Sequence, residues 1–169
     1  GTVTSAIATA AQGATLASIS QAIVYSISDS ASNIVANIGG LNESVNIEST
    51  DSCTFAQGKV IEDATNSGTI TYNISDSAAN ITAGIGSDSV VITSAQTVAV
   101  DTYATAAQAN TLSASGKAII YSIQDTAEAV AGANAVARNE AVNLYMTEAA
   151  TIAEATTIDD ASNTGVNVY

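Results

Sequence analysis

A repeat of about 48 residues constrains the fold of this chain more than any other feature of its sequence. Tyr25, Tyr72, Tyr121 and Tyr169 are 47, 49 and 48 residues apart. A second phrase keeps the same period and reads TAAQ at residue 9, TFAQ at 54, TAAQ at 105 and TIAE at 151. Such periods are typical of arrays in which each unit buries its apolar face against its neighbours.

Each period divides into a strand, a helix, a second strand and a second helix. ITYNIS at 70–75 alternates and is rich in β-branched residues, which predicts a strand, and the apolar residues of SDSAANITAGI then fall at helical spacing. SVVIT at 89–93 predicts the second strand. TYATAAQANTLSAS at 102–115 predicts the second helix, which ends at Gly116.

This reading predicts eight strands in a chain of βα units. They are expected at 2–4, 23–28, 45–48, 70–75, 90–93, 118–123, 142–146 and 166–169. A short helix that returns every strand to the same edge of a sheet requires parallel pairing.

We therefore predict an α/β fold. The predicted form is a repetitive βα solenoid with a parallel sheet on one side and short helices on the other, about 24 residues per βα unit and 48 per double repeat. A wider coil of 48 residues, with two sheets and two rows of helices, is the alternative. Either form makes residues 1–169 a single repeat domain with approximate repeats at 1–44, 45–89, 90–141 and 142–169.

The charge and the residue types limit the functions that are open to the chain. The chain has sixteen acidic and only three basic residues, and its net charge of −13 repels nucleic acid and anionic membranes. No apolar run approaches 18 residues, so we expect no membrane insertion. Histidine is absent, which excludes His-based triads and His metal sites, and we expect no enzymatic activity.

Three aspartates recur where a strand is predicted to end and a helix to begin. A carboxylate there can accept hydrogen bonds from the free amides of the first helical turn and faces the positive end of the helix dipole. The hydroxyl residue that follows can share this role. We predict structural helix caps at Asp29, Asp76 and Asp125, and binding of calcium by this row is the alternative.

The recurring tyrosines are expected to form an aromatic ladder along the sheet at every second coil. Its members are Tyr25, Tyr72, Tyr121 and Tyr169. A stripe that binds sugar or a partner is the functional alternative.

The stretch AGIGSDSVV at 83–91 resembles the calcium-binding nonapeptide of secreted repeats-in-toxin (RTX) proteins. Gly84, Gly86 and Asp88 match the motif, and the resemblance implies that they are metal ligands or shape a metal-binding turn. The alternative reading of this stretch is a helix stop, a turn and the start of a strand. Calcium is the only cofactor that the sequence indicates, from this resemblance and from the alternative reading of the aspartate row.

The longer phrase, YSISDSAANI-like with a following TxAQ helix, resembles the repeat regions of very large secreted bacterial surface proteins of the S-layer-like and RTX-adhesin-like kind. The resemblance implies an extracellular, cell-surface protein with a structural or adhesive role. The alternative function is a ligand-binding solenoid, for ice or for carbohydrate.

Neither terminal stretch of the sequence reads as a polar cap for a solenoid. A Tyr-type strand stands last, and a unit of the Thr-x-Ala-Gln type stands first, which is the type that would come next in the alternation. We expect the chain to be part of a longer array or to stack head to tail with copies of itself, building a surface layer, a filament or a stalk.

Overall fold

The computed structural model describes residues 6–169. The strands are β1 Ala6–Ala8, β2 Tyr25–Asp29, β3 Ile47–Cys53, β4 Ile70–Asp76, β5 Val98–Val100, β6 Ile119–Ile120, β7 Ile123–Asp125, β8 Leu144–Met146 and β9 Asn167–Val168. The helices are α1 Ala10–Ala17, α2 Ala31–Ala36, α3 Phe55–Glu62, α4 Ala78–Ser87, α5 Ser89–Ser94, α6 Ala106–Ser113, α7 Ala127–Gly132, α8 Ala135–Glu140 and α9 Ile152–Asp159. A 3₁₀ turn spans Ile38–Gly40.

The strands form a six-stranded parallel sheet in the order β1 to β6 and a three-stranded parallel sheet in the order β7, β8, β9. Their order in each sheet is their order in the chain. Parallel neighbours need a crossover, and short helices supply it here. The prediction of an α/β fold with a parallel sheet and short helices is confirmed.

The chain divides into two compact units. Unit 1 contains the residues up to Ile74 together with Ser94–Gln96, and unit 2 contains Ser75–Thr93 and Thr97–Tyr169. Each unit has its own buried side chains, such as Ile27 and Ile47 in unit 1 and Ile123 and Leu144 in unit 2. The prediction of a single repeat domain stays a prediction.

Six of the predicted strands coincide with β2, β3, β4, the β6–β7 segment, β8 and β9. The strand expected at 2–4 lies outside the described residues. The sequence reading missed β1 and β5.

The strand predicted at 90–93 is wrong, because these residues belong to α5. Val91, Ile92 and Ala95 are each 1% exposed, whereas Val90 is 56% exposed. Burial at i, i+1 and i+4 marks one face of a helix and not the alternation of a strand. The β-branched composition misled the prediction, since packing of this apolar face decides the local structure.

The parallel register brings the start of each helix close to the strand that follows that helix in the chain. Ala6 pairs with Tyr25, Ile27 with Ile47, and Leu144 with Asn167. The carboxyl end of each strand therefore lies beside the start of the helix of the preceding βα unit. Among the residues that the structure describes, no helix is both long enough and apolar enough to cross a membrane.

Candidate functional site

The recurring Thr-x-Ala-Gln/Glu phrase is a capping box at the start of a helix. The threonine hydroxyl accepts the amide of the Gln or Glu three residues later, and that side chain accepts the threonine amide in return. In α1 the two distances are 3.3 Å and 2.9 Å. The same box starts four helices, with the pairs Thr9 and Gln12, Thr54 and Gln57, Thr105 and Gln108, and Thr151 and Glu154.

The helices that follow the Tyr-x-Ile-x-Asp phrase begin two residues after the aspartate, at Ala31, Ala78 and Ala127. Their N-cap residues are Ser30, Ser77 and Thr126, whose hydroxyls accept the amide three residues later at 3.2–3.3 Å. The carboxylates of the three aspartates accept the amides of these N-cap residues at 2.7–2.9 Å. The hydroxyl residue is thus the N-cap, and the aspartate lies just outside the helix.

The second oxygen of Asp29 and of Asp125 reaches a different helix. Asp29 Oδ2 accepts the amide of Ala10, the first residue of α1, at 3.0 Å. Asp125 Oδ2 accepts the amide of Ala106, the first residue of α6, at the same distance. These aspartates therefore connect two successive βα units instead of capping only their own helix.

Residues of bulged segments accept the first amides of α2 and α4, two of the helices that follow the Tyr-x-Ile-x-Asp phrase. In β3, residues 49–51 lie opposite the single residue Tyr72, and the bulge presents Asp51 to α2, where its carboxylate accepts the amide of Ala31 at 2.6 Å. The Thr102 hydroxyl, after β5, accepts the amide of Ala78, the first residue of α4, at 3.0 Å. We call the four contacts made by Asp29, Asp51, Thr102 and Asp125 the inter-unit caps, because each joins two successive βα units. All four lie within one or the other compact unit.

The predicted cap residue Asp76 is the most buried of the three aspartates, with 7% of its surface exposed. Its Oδ1 accepts the Ser77 amide at 2.7 Å and the Asn80 side-chain amide at 2.8 Å. Hydrogen bonds of this kind satisfy a carboxylate that has little access to water.

Hydrogen bonding also stabilises the charged form of Asp29. The Asn33 side chain, and after it the amide of Ala10, lower the pKa of this carboxyl group, and burial opposes them only in part. The inter-unit cap that it forms is therefore a charge-assisted contact.

Of the tyrosines of the predicted ladder, Tyr25 lies on β2 and Tyr72 on β4, whereas Tyr121 lies between β6 and β7 and Tyr169 follows β9. Each tyrosine hydroxyl donates a hydrogen bond to its own neighbouring segment. Tyr25, Tyr72 and Tyr121 are at most 2% exposed, and their hydroxyls donate to Gly40 O, Glu62 Oε2 and Ala137 O at 2.8–3.0 Å. Tyr169 is 50% exposed and donates to Ala155 O and to Asp159.

Strand β3 lies between β2 and β4, and the register places Tyr72 level with Asp29, four residues further along the sheet than Tyr25. The backbones of Tyr25 and Tyr72 are therefore farther apart than the roughly 10 Å of two strand spacings. Within unit 1 this spacing is too long for direct stacking of the two rings. A different ring pair makes an edge-to-face contact, Tyr103 with Tyr145, with centroids 5.1 Å apart and planes at 66°.

The residues that resemble the calcium nonapeptide lie on two successive helices, except for Asp88 between them. Gly84 and Gly86 are inside α4, and Asp88 is its C-cap, with an amide that donates to Gly84 O at 2.8 Å. The turn and following strand that the motif predicts are replaced by the start of α5. Over residues 6–169 the structure contains no group of three or more acidic or cysteine side chains placed to hold a metal ion.

An open groove of about 440 Å³ in unit 2 is a candidate binding site. One wall of the groove is a bulge formed by residues 100–103, which lie opposite only two residues, 121–122, of the neighbouring segment. Bulges of this kind redirect side chains away from a sheet. The lining residues are Val100, Asp101, Thr102, Tyr103, Ile120, Tyr121, Ser122 and Val142.

The sequence reading missed the capping boxes, the inter-unit caps and this groove. The capping boxes carry a local signature, Thr followed three residues later by Gln or Glu, and could have been found. The inter-unit caps join residues 19 to 24 positions apart, so they depend on strand register. The groove depends on a bulge that no local pattern marks.

No protein-family model matches the chain, and no curated protein or solved structure matches it either.

Proposed function

We propose that this chain is a structural repeat module, a βα solenoid that builds a cell-surface layer, filament or stalk by head-to-tail association. The observation that carries the proposal is the set of inter-unit caps. Each of them satisfies the first amide of one helix with a side chain of the next βα unit. Units coupled in this way depend on their neighbours, which is the property that defines a solenoid.

Edge strands with exposed apolar residues support association between copies. β1 is the first strand of its sheet and β9 the last strand of the other, so each leaves one row of backbone groups outside the sheet. Ile7 on β1 is 77% exposed and Val168 on β9 is 43% exposed. A contact between a β1 edge and a β9 edge is heterologous, and such contacts extend into filaments.

The extracellular location rests on the resemblance to secreted surface-protein repeats and is part of the same proposal. The net charge of −13 makes copies repel one another at low ionic strength. Association should therefore strengthen as salt is raised.

Sedimentation velocity over a range of protein and NaCl concentrations tests the association. We expect a series of linear species that grows with both variables, and electron microscopy should show rods. Ile7→Lys and Val168→Lys should each reduce association. Val136→Lys is the matched control, since Val136 is 54% exposed on α8 and the charge change is the same.

A species that remains monomeric at every protein and salt concentration would refute head-to-tail assembly. Equal effects of all three lysine substitutions would show that charge, and not the strand edges, governs association.

A further inference from the structure

We propose that the groove in unit 2 binds a small organic cation, an alkylammonium group, between the Tyr103 ring and the Asp101 carboxylate. Both residues come from the segment that bulges out beside β5, and both line the groove. This binding site goes beyond the structural role proposed above and does not depend on it.

Tyr103 presents an aromatic surface that is held in place. It is 51% exposed, although aromatic side chains of this size usually bury most of their surface in a folded protein. Its ring makes the edge-to-face contact with Tyr145, 5.1 Å between centroids, and this contact restricts the ring without covering it fully. Tyr103 lines the groove, and the part of its ring that Tyr145 leaves uncovered offers an aromatic surface to an ammonium group.

The backbone around Tyr103 is fixed on both sides. The amide of Asp101 donates to Asp76 O at 3.0 Å, and the amide of Ala104 donates to Ser122 O at 2.9 Å. The Thr102 hydroxyl between them accepts the Ala78 amide as an inter-unit cap. The bulge is therefore preorganised, and binding does not have to order a loop.

The charge of the surroundings selects a cation. No lining residue of the groove is basic, and Asp101 contributes an exposed carboxylate. The three basic residues of the chain have other partners: Lys59 pairs with Asp63, Lys117 donates to Thr93 O, and Arg138 donates to Ala131 O. An anionic ligand would meet the field of a chain with a net charge of −13.

The groove volume of about 440 Å³ lies within the range of small-molecule sites, and its walls combine apolar and polar groups. Ile120 and Val142 offer apolar contact to alkyl substituents, and Ser122 offers a hydroxyl. A trimethylammonium headgroup and a free choline-like molecule share the chemistry that this arrangement recognises.

The test is a ¹⁵N-HSQC titration of the whole chain with choline and, separately, with 3,3-dimethylbutanol, its uncharged isostere. We expect choline to shift the amides of residues 100–104 and 120–122, and the isostere to bind at least about fivefold more weakly. Tyr103→Leu and Asp101→Asn should each weaken choline binding by about fivefold, while Asp160→Asn, on an exposed acid outside the groove, should leave it unchanged.

Two arms separate the other occupants. Titration with methyl glucoside tests a neutral sugar, and vesicles of phosphatidylcholine test whether the headgroup is bound at a lipid surface instead of free. Equal shifts from choline and its isostere, stronger shifts from the glucoside, or choline shifts that survive both groove substitutions would each overturn the proposal.

Discussion

Residues 9–68 of unit 1 and 105–165 of unit 2 have closely similar hydrogen bonds, 96 or 97 residues apart, but their helices meet differently. Tyr25 donates to Gly40 O in unit 1, and Tyr121 donates to Ala137 O in unit 2. Gly40 faces Gly13 of α1, and a Cβ built on it would lie 2.6 Å from Gly13 O and from the amide of Ala14. The aligned position in unit 2 is Ala137, fully buried and on α8.

The difference shows that one pattern of hydrogen bonds tolerates two helix packings. In unit 1 two glycines allow direct approach of backbones, and the second element is only a 3₁₀ turn. In unit 2 Ala109 and Ala137, both fully buried, fill the corresponding space with two methyl groups, and the second element is an α-helix. The polar contacts are common to both segments, and the small residues set how closely the helices of each segment pack.

We expect the largest difference in stability between the two segments from a substitution at Gly40. Gly40→Ala should lower the free energy of unfolding by about 2–3 kcal/mol, because the new methyl group meets backbone that cannot rotate away. Chemical denaturation measures this change. Ala137→Gly should cost less, about 1–2 kcal/mol, through lost helix propensity and lost burial of one methyl group.

Equal losses for the two substitutions would mean that unit 1 relaxes as easily as unit 2. Gly13→Ala provides a further control, since its Cβ would meet the Ile27 side chain at 3.0 Å instead of backbone. We expect it to cost less than Gly40→Ala.

The two segments also differ at the strands β3 and β8, in the residue that could cap a preceding helix. Asp51 on β3 caps Ala31, whereas the aligned residue after β8 is Glu148, which is exposed. Asp51→Ala should destabilise the protein by about 1 kcal/mol, the usual cost of a lost cap. Glu148→Ala should change stability by less than about 0.5 kcal/mol, as is typical of a surface substitution.

Thermal melting of both variants beside the wild type checks this pair. A loss for Glu148→Ala as large as that for Asp51→Ala would show that the acid in unit 2 also contributes an inter-unit cap.

The smallest expected effect concerns acid. The folded-state pKa of Asp29 is lowered, so its contribution to stability is present above its unfolded pKa, about 3.9, and is lost as pH falls through the lower folded value. Denaturation midpoints measured between pH 5 and pH 2 should fall less steeply for Asp29→Asn than for the wild type. Asp160→Asn serves as a matched exposed control, and an identical pH slope for Asp29→Asn and the wild type would contradict the assignment.

The sequence alone determined the period, much of the alternation of strand and helix, and the starts of the three helices that follow the recurring aspartates. These features are local: each of these helices begins two residues after its aspartate, and the alternation of ITYNIS shows within six residues. The parallel α/β arrangement followed because short helices between successive strands leave little other choice.

Only the tertiary structure decided which strand residues cap which helix, how SVVIT folds and where the groove opens. Asp29 was readable as a cap from its place after a strand, but its contact with Ala10, 19 residues earlier, follows from the register of β1 against β2. Val91 and Ile92 became helical because their common face is buried, which overrides the strand preference of β-branched residues. Contacts between neighbouring βα units depend on strand register and bulges, and these are set by the packing of the whole sheet instead of by any short stretch of chain.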